Sequence, residues 1–205
     1  MAELSDAIAA QPERAVALRL ADEAWDDGPA ARRAARGRRI ARDLVELSRL
    51  QGGGERVVDA PIDLARLLRE ICVHYPKVEI AGVDPFPLHT DSRRLARVLT
   101  LLLDNACLHG APPVAVRYDA CEIVVADSGP GLEPKVLARA TEPFVAGRSA
   151  RGRGVGLGLA IAARQAALLG AELQLCNAVD GGALARLRFD PTASARAWAP
   201  PRLTA

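Results

Sequence analysis

The stretch that most constrains the fold is a helical run of apolar residues that ends in polar ones, LLLDNACLHG at residues 101–110. Asp91 is placed to cap the start of this helix, and apolar residues recur after it at helical spacing. The core face predicted by that spacing comprises Leu95, Val98, Leu99 and Leu102. Towards the other end Asp104, Asn105 and His109 interrupt the apolar pattern, so a buried helix presents polar atoms there.

The amide of Asn105 is the first candidate functional group. A side-chain amide in a buried helix needs hydrogen-bond partners or a metal ion. Asn105 is therefore either a satisfied core amide or a ligand, and the residue alone does not decide between the two. His109 lies one helical turn further on and on the same face. It can contact a bound group, or it can cap the end of the helix.

The rest of the chain alternates between helices and short β-rich runs. The helix ARLLREICVHY at residues 65–75 has Leu67, Leu68 and Ile71 on its inner face. Predicted strands lie at residues 57–64, 78–83, 87–89, 114–118, 121–126, 171–177 and 183–189. The last four form two pairs joined by tight turns, which predicts two hairpins. Helices mixed with mostly hairpin-connected strands predict an α+β fold, a two-layer α/β sandwich.

A carboxylate follows one predicted strand directly, in VADSGPG at residues 125–131. Asp127 should emerge at the strand end, where it can accept a hydrogen bond from the amino group of adenine and repel the carbonyl group of guanine. Gly129 and Gly131 allow positive φ and a close approach of the backbone to a base. The alternative is a plain Asp-Ser-Gly turn.

Three glycines, Gly154, Gly156 and Gly158, precede a predicted helix at residues 159–169. Unpaired N–H groups at a helix start, without β-carbons in the way, form an anion site suited to phosphates. A flexible hinge is the alternative. The polar segment 132–153 before these glycines suits a lid over a nucleotide, and its arginines Arg148, Arg151 and Arg153 either reach phosphates or are solvated.

In order and spacing, these stretches resemble the boxes of the GHKL ATP-binding superfamily, and most of all the catalytic domain of sensor histidine kinases. LLLDNACLHG at 101–110 resembles the N box, VADSGPG at 125–131 the G1 box, EPFVAG at 142–147 the F box and GVGLGLAI at 154–161 the G2 box. The resemblance implies a Bergerat-type ATP-binding fold with ATP and Mg²⁺ as cofactors. It implies that Asn105 binds Mg²⁺, that His109 contacts phosphate or the lid, and that Phe144 pins the lid to the core. The remaining implied nucleotide contacts are Asp127, Gly129, Gly131, Arg148, Gly154, Val155, Gly156, Leu157 and Gly158.

The chain departs from the family pattern at three polar positions. In the N box, Leu101 replaces an Asn and Leu108 replaces a Lys, and Val155 replaces the usual Thr of the G2 box. Relatives that hydrolyse ATP or phosphorylate serine carry a Glu at the position of Leu101. Because leucine cannot accept a proton, those two activities are disfavoured. A histidine kinase is less affected, since imidazole is itself a nucleophile.

Residues 1–54 are predicted to form an antiparallel helical hairpin, with helices at 3–27 and 32–51 and Ile40, Leu44 and Leu47 along one face of the second. The stretch 41–50 resembles the second helix of a histidine kinase dimerisation domain, which implies a homodimer. If Pro12 is the proline of the H-E-x-R-x-P-L pattern, Ala7 occupies the phosphoacceptor position. The acceptor histidine then comes from an upstream part, from a partner protein, or not at all. Residues 55–190 would form the ATP-binding domain and 191–205 a flexible tail.

Composition bounds the remaining possibilities. A net charge of +2 argues against a nucleic-acid partner. The cysteines Cys72, Cys107, Cys121 and Cys176 have no CxxC spacing and are predicted to be small buried residues in a reducing compartment. No membrane span or signal peptide is recognisable, which predicts a cytoplasmic chain without membrane contact, or the cytoplasmic part of a membrane sensor.

Two functions remain open from the sequence. The first is the ATP-binding catalytic core of a two-component sensor histidine kinase, which passes the γ-phosphoryl group of ATP to a histidine for relay to a response regulator. The second is a non-catalytic module that binds ATP or only docks a response regulator. The Ala7 position and the altered N box favour the second, whereas Asp127 and the glycines favour real nucleotide binding.

Overall fold

The computed structural model describes residues 29–53, 55–82, 87–119, 121–147 and 155–190. Its helices are α1 (Pro29–Gly52), α2 (Leu64–Cys72), α3 (Ser92–His109), α4 (Pro134–Leu137) and α5 (Gly158–Leu168). Its strands are β1 (Ala60–Asp63), β2 (Val78–Gly82), β3 (Pro87–Thr90), β4 (Val114–Tyr118), β5 (Glu122–Ala126), β6 (Ala171–Asn177) and β7 (Ala183–Phe189). Most predicted elements are present with ends shifted by one to three residues. The predicted first helix at 3–27, with its Ala7 position, and the tail at 191–205 lie outside the described residues.

Five strands form one sheet in the order β2-β4-β5-β7-β6, and β1 pairs with β3 in a separate two-stranded sheet. The two predicted hairpins are confirmed, since β4 pairs antiparallel with β5 and β6 with β7. Strand β2 runs parallel to β4. A parallel pair needs a crossover connection, and here β3 and α3 lie between the two strands in the chain.

The helices α2, α3 and α5 cover one face of this sheet, which confirms the two-layer α+β sandwich. Strand β4 follows the alternation of a half-covered sheet: Val114, Val116 and Tyr118 are buried and Arg117 is exposed. The predicted stripe of α3 is wholly buried, as are Leu64 and Leu68 of α2. The middle of helix α3 therefore lies at the centre of the core, and its two ends reach the surface.

The cap predicted for α3 is confirmed. The carboxylate of Asp91 is 1% exposed and accepts hydrogen bonds from the backbone N–H groups of Arg93 (3.1 Å) and Arg94 (3.2 Å). It also accepts one from the N–H of Val58 at 3.0 Å, which ties the segment before β1 to the helix start. Burial alone would raise the pKa of Asp91, but the hydrogen bonds from Val58 and Arg94 outweigh it and hold the pKa below 3.8.

We expect Asp91→Ala to lower the free energy of unfolding at pH 7 by about 2 kcal/mol, because it removes a helix cap and the anchor of Val58. Since folding lowers this pKa, the contribution of Asp91 is full above about pH 4 and is lost as the pH falls through the folded-state pKa. Urea denaturation at pH 7 and pH 3 measures both effects. The matched control is Asp63→Ala, because Asp63 caps α2 through Arg66 alone. Equal losses in the two variants, or a loss that does not depend on pH, would contradict the assignment.

Helix α1 runs along α5 and is joined to α3 by ion pairs. Of the face predicted for it, Leu47 is buried and Ile40 half-buried, but Leu44 is 40% exposed. Arg97 of α3 bonds to Asp43 and Glu46 of α1, and the side of α1 that packs against the rest of the chain passes beside Leu44. None of the helices described here is long and apolar enough to cross a membrane.

The cysteine prediction holds for Cys72 alone, which is buried and whose pKa is raised to about 11, chiefly by that burial. Cys121 and Cys176 are half-buried, on strand β6 or beside β5. Cys107 is exposed, because it follows the buried Ala106 by 100° around α3 and so points away from the core. The apolar residues around each cysteine in the sequence did not reveal whether its own side chain faces the core.

Candidate functional site

A cleft of about 140 Å³ opens where the C-terminal half of α3 meets the start of α5. Helix α1 forms one wall, and residues 132–147, which include α4, form another. The cleft brings together six residues that the sequence singled out: Asn105, His109, Val155, Gly156, Leu157 and Gly158. Residues of the N, F and G2 boxes therefore line one cleft. The G1 box, with Asp127, does not line it and is described below.

Three polar side chains of α3, those of Asp104, Asn105 and His109, line the cleft. Asn105 and His109 are both half-buried and lie one turn apart, and α3 ends directly after His109. The Oδ1 of Asp104 accepts a hydrogen bond of 2.7 Å from the hydroxyl group of Tyr75. The sequence did not predict that Tyr75 orients Asp104, because the two residues are 29 positions apart in the chain.

The start of α5 offers backbone N–H groups to the cleft. The helix begins at Gly158, with Leu157 as N-cap, and no side chain caps it in the described part of the chain. The first N–H groups of a helix have no acceptor within it, and the helix dipole adds partial positive charge. Gly156, Leu157 and Gly158 all line the cleft, so the helix start that the sequence predicts as an anion site faces it.

The F box is tied to the G2 box through backbone atoms. The N–H of Phe144 donates a 2.9 Å hydrogen bond to the carbonyl of Gly156. Gly156 has φ +74°, and a β-carbon there would overlap the carbonyl of Val145, so the position requires glycine. The prediction that the ring of Phe144 pins the lid to the core was wrong. With φ +67° the ring turns outward and is 65% exposed.

Asp127 follows β5 directly, as predicted, and is 8% exposed. Its Oδ1 accepts a 2.8 Å hydrogen bond from the N–H of Gly129, and its own N–H donates to the carbonyl of Ala183 at 3.1 Å. Gly131 has a positive φ of +73°. Gly129 has no positive φ, but its backbone packs closely against Gly110, since a β-carbon on Gly129 would lie 2.8 Å from the Cα of Gly110. The carboxyl group is thus held in one orientation.

Asp127, Gly129 and Gly131 do not line the cleft. Asp127 and Gly129 lie against Gly110, the residue after α3, because a β-carbon on Gly110 would overlap the carboxyl carbon of Asp127 and one on Gly129 would lie 2.8 Å from the Cα of Gly110. The candidate site therefore has two parts joined at the end of α3: a cleft with Asn105 and the start of α5, and a carboxylate next to Gly110. Arg148 and Gly154 lie outside the described residues.

The three apolar replacements all line the cleft. Leu101 is only 5% exposed, and its side chain lies 3.8 Å from where a β-carbon on Gly158 would be. Leu101 thus helps to pack α3 against α5. Leu108 is 38% exposed and Val155 half-buried, so both present apolar surface where the family pattern has a polar group.

Helix α1 contributes residues that sequence reasoning did not assign to a site. Arg36, Arg39, Ile40 and Asp43 all line the cleft. Their spacing of three, four and seven residues places them on one helical face, which is the only signal in the sequence. Nothing in that pattern states which surface the face packs against.

Comparison with known proteins gives consistent matches. The profile of the family described as histidine kinase-, DNA gyrase B-, and HSP90-like ATPase matches residues 90–193. Sensor protein CseC of Streptomyces coelicolor is 41% identical over 152 residues, which are 73% of this chain and 30% of that protein. Sensor histidine kinase component HK1 of Mycobacterium tuberculosis is 42% identical over 102 residues, 47% of this chain and 61% of that protein.

Among solved structures, full-length ShkA in complex with AMPPNP matches with a TM-score of 0.63 at 27% sequence identity. The match covers 77% of this chain and 36% of that chain. This chain therefore spans about a third of the length of both the sensor protein CseC and ShkA. The matched residues include both parts of the candidate site, since 90–193 contains Asn105, Asp127 and the start of α5.

Proposed function

The chain belongs to the family of histidine kinase-, DNA gyrase B-, and HSP90-like ATPases, and we propose that it is the ATP-binding catalytic core of a two-component sensor histidine kinase. The observation that carries this proposal is the cleft in which Asn105 meets the uncapped start of α5. The oriented carboxylate of Asp127 lies beside that cleft at the end of α3. One molecule with a base at one end and phosphates at the other suits both parts.

The donor set suits ATP and Mg²⁺. The half-buried amide of Asn105 offers a hard oxygen atom, and Mg²⁺ keeps several waters, so one side-chain ligand is sufficient. Mg²⁺ held by Asn105 would neutralise charge on the phosphates, and the N–H groups of residues 156–158 would bind their oxygens. Asp127 accepts a hydrogen bond from the adenine amino group, with Gly129 and Gly131 leaving space for the base. His109, Phe144, Arg148, Gly154 and Val155 complete the proposed contacts.

The proposed chemistry is phosphoryl transfer by positioning. A histidine nitrogen attacks the γ-phosphorus, the bond to the β–γ bridging oxygen breaks, and ADP leaves. No general base is needed at residue 101, because neutral imidazole is already nucleophilic. Residues 1–54 contain no histidine, so the acceptor comes from an upstream part, from a partner protein, or not at all. A homodimer formed through residues 1–54 and a response regulator are the proposed partners.

Restoring a histidine at residue 7 tests whether the core is competent for transfer. We expect Ala7→His to become labelled from γ-³²P-ATP in the presence of Mg²⁺, with the alkali-stable, acid-labile behaviour of phosphohistidine. Unaltered chain and Ala7→His combined with Asn105→Ala are the controls, and both should stay unlabelled.

A specific observation favours the second candidate function, an ATP-binding module without transfer. Leu101, Leu108 and Val155 bring apolar surface into the cleft where the family pattern has polar groups. If Ala7→His binds ATP but acquires no label, and a histidine-bearing dimerisation hairpin added in trans also stays unlabelled, the non-catalytic function replaces the first.

A further inference from the structure

We propose that Arg36 and Arg39 of helix α1 bind the phosphates of the nucleotide and replace the cation that the N box lacks at Leu108. This inference rests on the proposed function, since it assumes that a nucleotide occupies the cleft. It assigns a ligand-binding role to a helix that lies outside the matched residues 90–193. The nucleotide site would then be shared between the ATP-binding domain and the helix before it.

The charges of the cleft lead to these two residues. Within the described part of its wall, Arg36 and Arg39 are the only arginine or lysine side chains. Arg36 and Arg39 line the same cleft as residues 156–158, so a triphosphate seated at the start of α5 would face the α1 wall. Leu108, which lines the same cleft from α3, offers no charge.

A network of polar contacts holds α1 in this orientation. Arg97 of α3 pairs with Asp43 at 3.0 Å and with Glu46 at 2.7 Å, and Nε2 of Gln165 in α5 donates to Glu46 at 2.9 Å. Burial alone would lower the pKa of Arg97, but the carboxylates of Glu46 and Asp43 raise it, so the guanidinium group of Arg97 keeps its charge. All its members are at least half-buried.

The same network explains why the arginines of α1 reach the cleft. Arg39 lies four residues before Asp43 and Arg36 lies seven before it, so all three share one face of the helix. Fixing Asp43 against Arg97 therefore turns Arg36 and Arg39 towards the cleft. Arg97 also offsets the negative charge of Asp43, which would otherwise repel a phosphate. A guanidinium group can donate two parallel hydrogen bonds to a phosphate, so arginine can take the place of lysine at such a site.

The test is nucleotide binding as a function of phosphate number, measured by calorimetry with adenosine, AMP, ADP and ATP in Mg²⁺. We expect Arg36→Ala combined with Arg39→Ala to weaken ATP binding about 30-fold and adenosine binding less than about twofold, because only the phosphates contact α1. The matched control is Arg49→Ala, which removes an exposed charge from the last turn of the same helix. It should change neither affinity.

A rescue separates phosphate binding from a structural role. Adding Leu108→Lys to the double variant should restore most of the ATP affinity, because it returns a cation to the same cleft from α3. An equal loss for adenosine and ATP, or failure of the rescue, would overturn the inference while the proposed function stands. Unchanged ATP affinity of the double variant, with Asp127→Asn still defective, would overturn it as well. If the unaltered chain binds no ATP, the inference and the proposed function fall together.

Discussion

Replacing Asp127 by Asn is expected to weaken ATP binding about 100-fold and to strengthen GTP binding. The carboxylate has one oxygen engaged by the N–H of Gly129, and an amide oxygen can keep that bond. The second carboxylate oxygen is then replaced by an NH₂ group. This group and the amino group of adenine are both hydrogen-bond donors, so they cannot bond to each other. A lost hydrogen bond to a charged group accounts for a change of this size. Guanine presents a carbonyl instead, so the same NH₂ group would bind it.

The chain contains a matched control for this substitution. The Oδ1 of Asp119 accepts a 2.8 Å hydrogen bond from the N–H two residues later, as that of Asp127 does, but Asp119 is exposed at the turn between β4 and β5. Asp119→Asn should leave both affinities unchanged. An Asp127→Asn variant with normal ATP binding would show that this carboxylate only closes a turn. Calorimetric titration with both nucleotides provides the measurement.

Gly110→Ala is expected to lower stability and nucleotide affinity together. A β-carbon at this position would overlap the carboxyl carbon of Asp127 and lie 2.5 Å from the carbonyl oxygen of Ala106. The φ of Gly110 is −87°, so the backbone tolerates alanine and the effect is steric. Overpacking of this kind costs about 2 kcal/mol. Because relief requires the carboxyl group to move, ATP affinity should fall at least about tenfold as well.

Gly37→Ala is the control for Gly110→Ala. Gly37 lies within α1, and a β-carbon there meets no other atom within 4 Å. Alanine should therefore stabilise the chain by about 0.5–1 kcal/mol and leave ATP binding unchanged. Denaturant unfolding and calorimetry on both variants measure the two effects. Normal ATP affinity in a folded Gly110→Ala variant would mean that Asp127 is not held by its packing against the end of α3.

Local patterns in the sequence predicted those features that depend on neighbours along the chain. The buried stripe of α3, its cap at Asp91 and the two hairpins follow from helical and strand periodicity and from turn residues. The position of Asp127 at a strand end was likewise predictable, because β5 runs directly into it. These features were confirmed with small shifts of the element ends.

The sequence did not predict features that arise from contacts between elements. The exposure of the Phe144 ring and of Leu44 is not visible in local spacing, since it depends on how separate elements pack. The wall formed by α1 could not be inferred either, since amphipathic spacing identifies a face and not its neighbour. The separation of Asp127 from the cleft likewise depends on how the end of α3 packs against β5.

The substitution of the family Asn by Leu101 has a structural consequence as well as a chemical one. Leu101 is buried between α3 and α5, where it contacts the region of Gly158. An apolar side chain there stabilises the junction that carries the proposed phosphate site. The chain thus combines a well-packed junction with a cleft whose polar side chains come from α1 and the C-terminal half of α3.

The most direct test of the central claim is calorimetric titration of the chain with ATP, in Mg²⁺ and in EDTA, with GTP as the comparison. The account predicts ATP binding that weakens when Mg²⁺ is removed, because Asn105 and the phosphates share the ion, and GTP binding that is much weaker throughout. Absence of binding at millimolar ATP, or equal affinity for the two nucleotides, would contradict it.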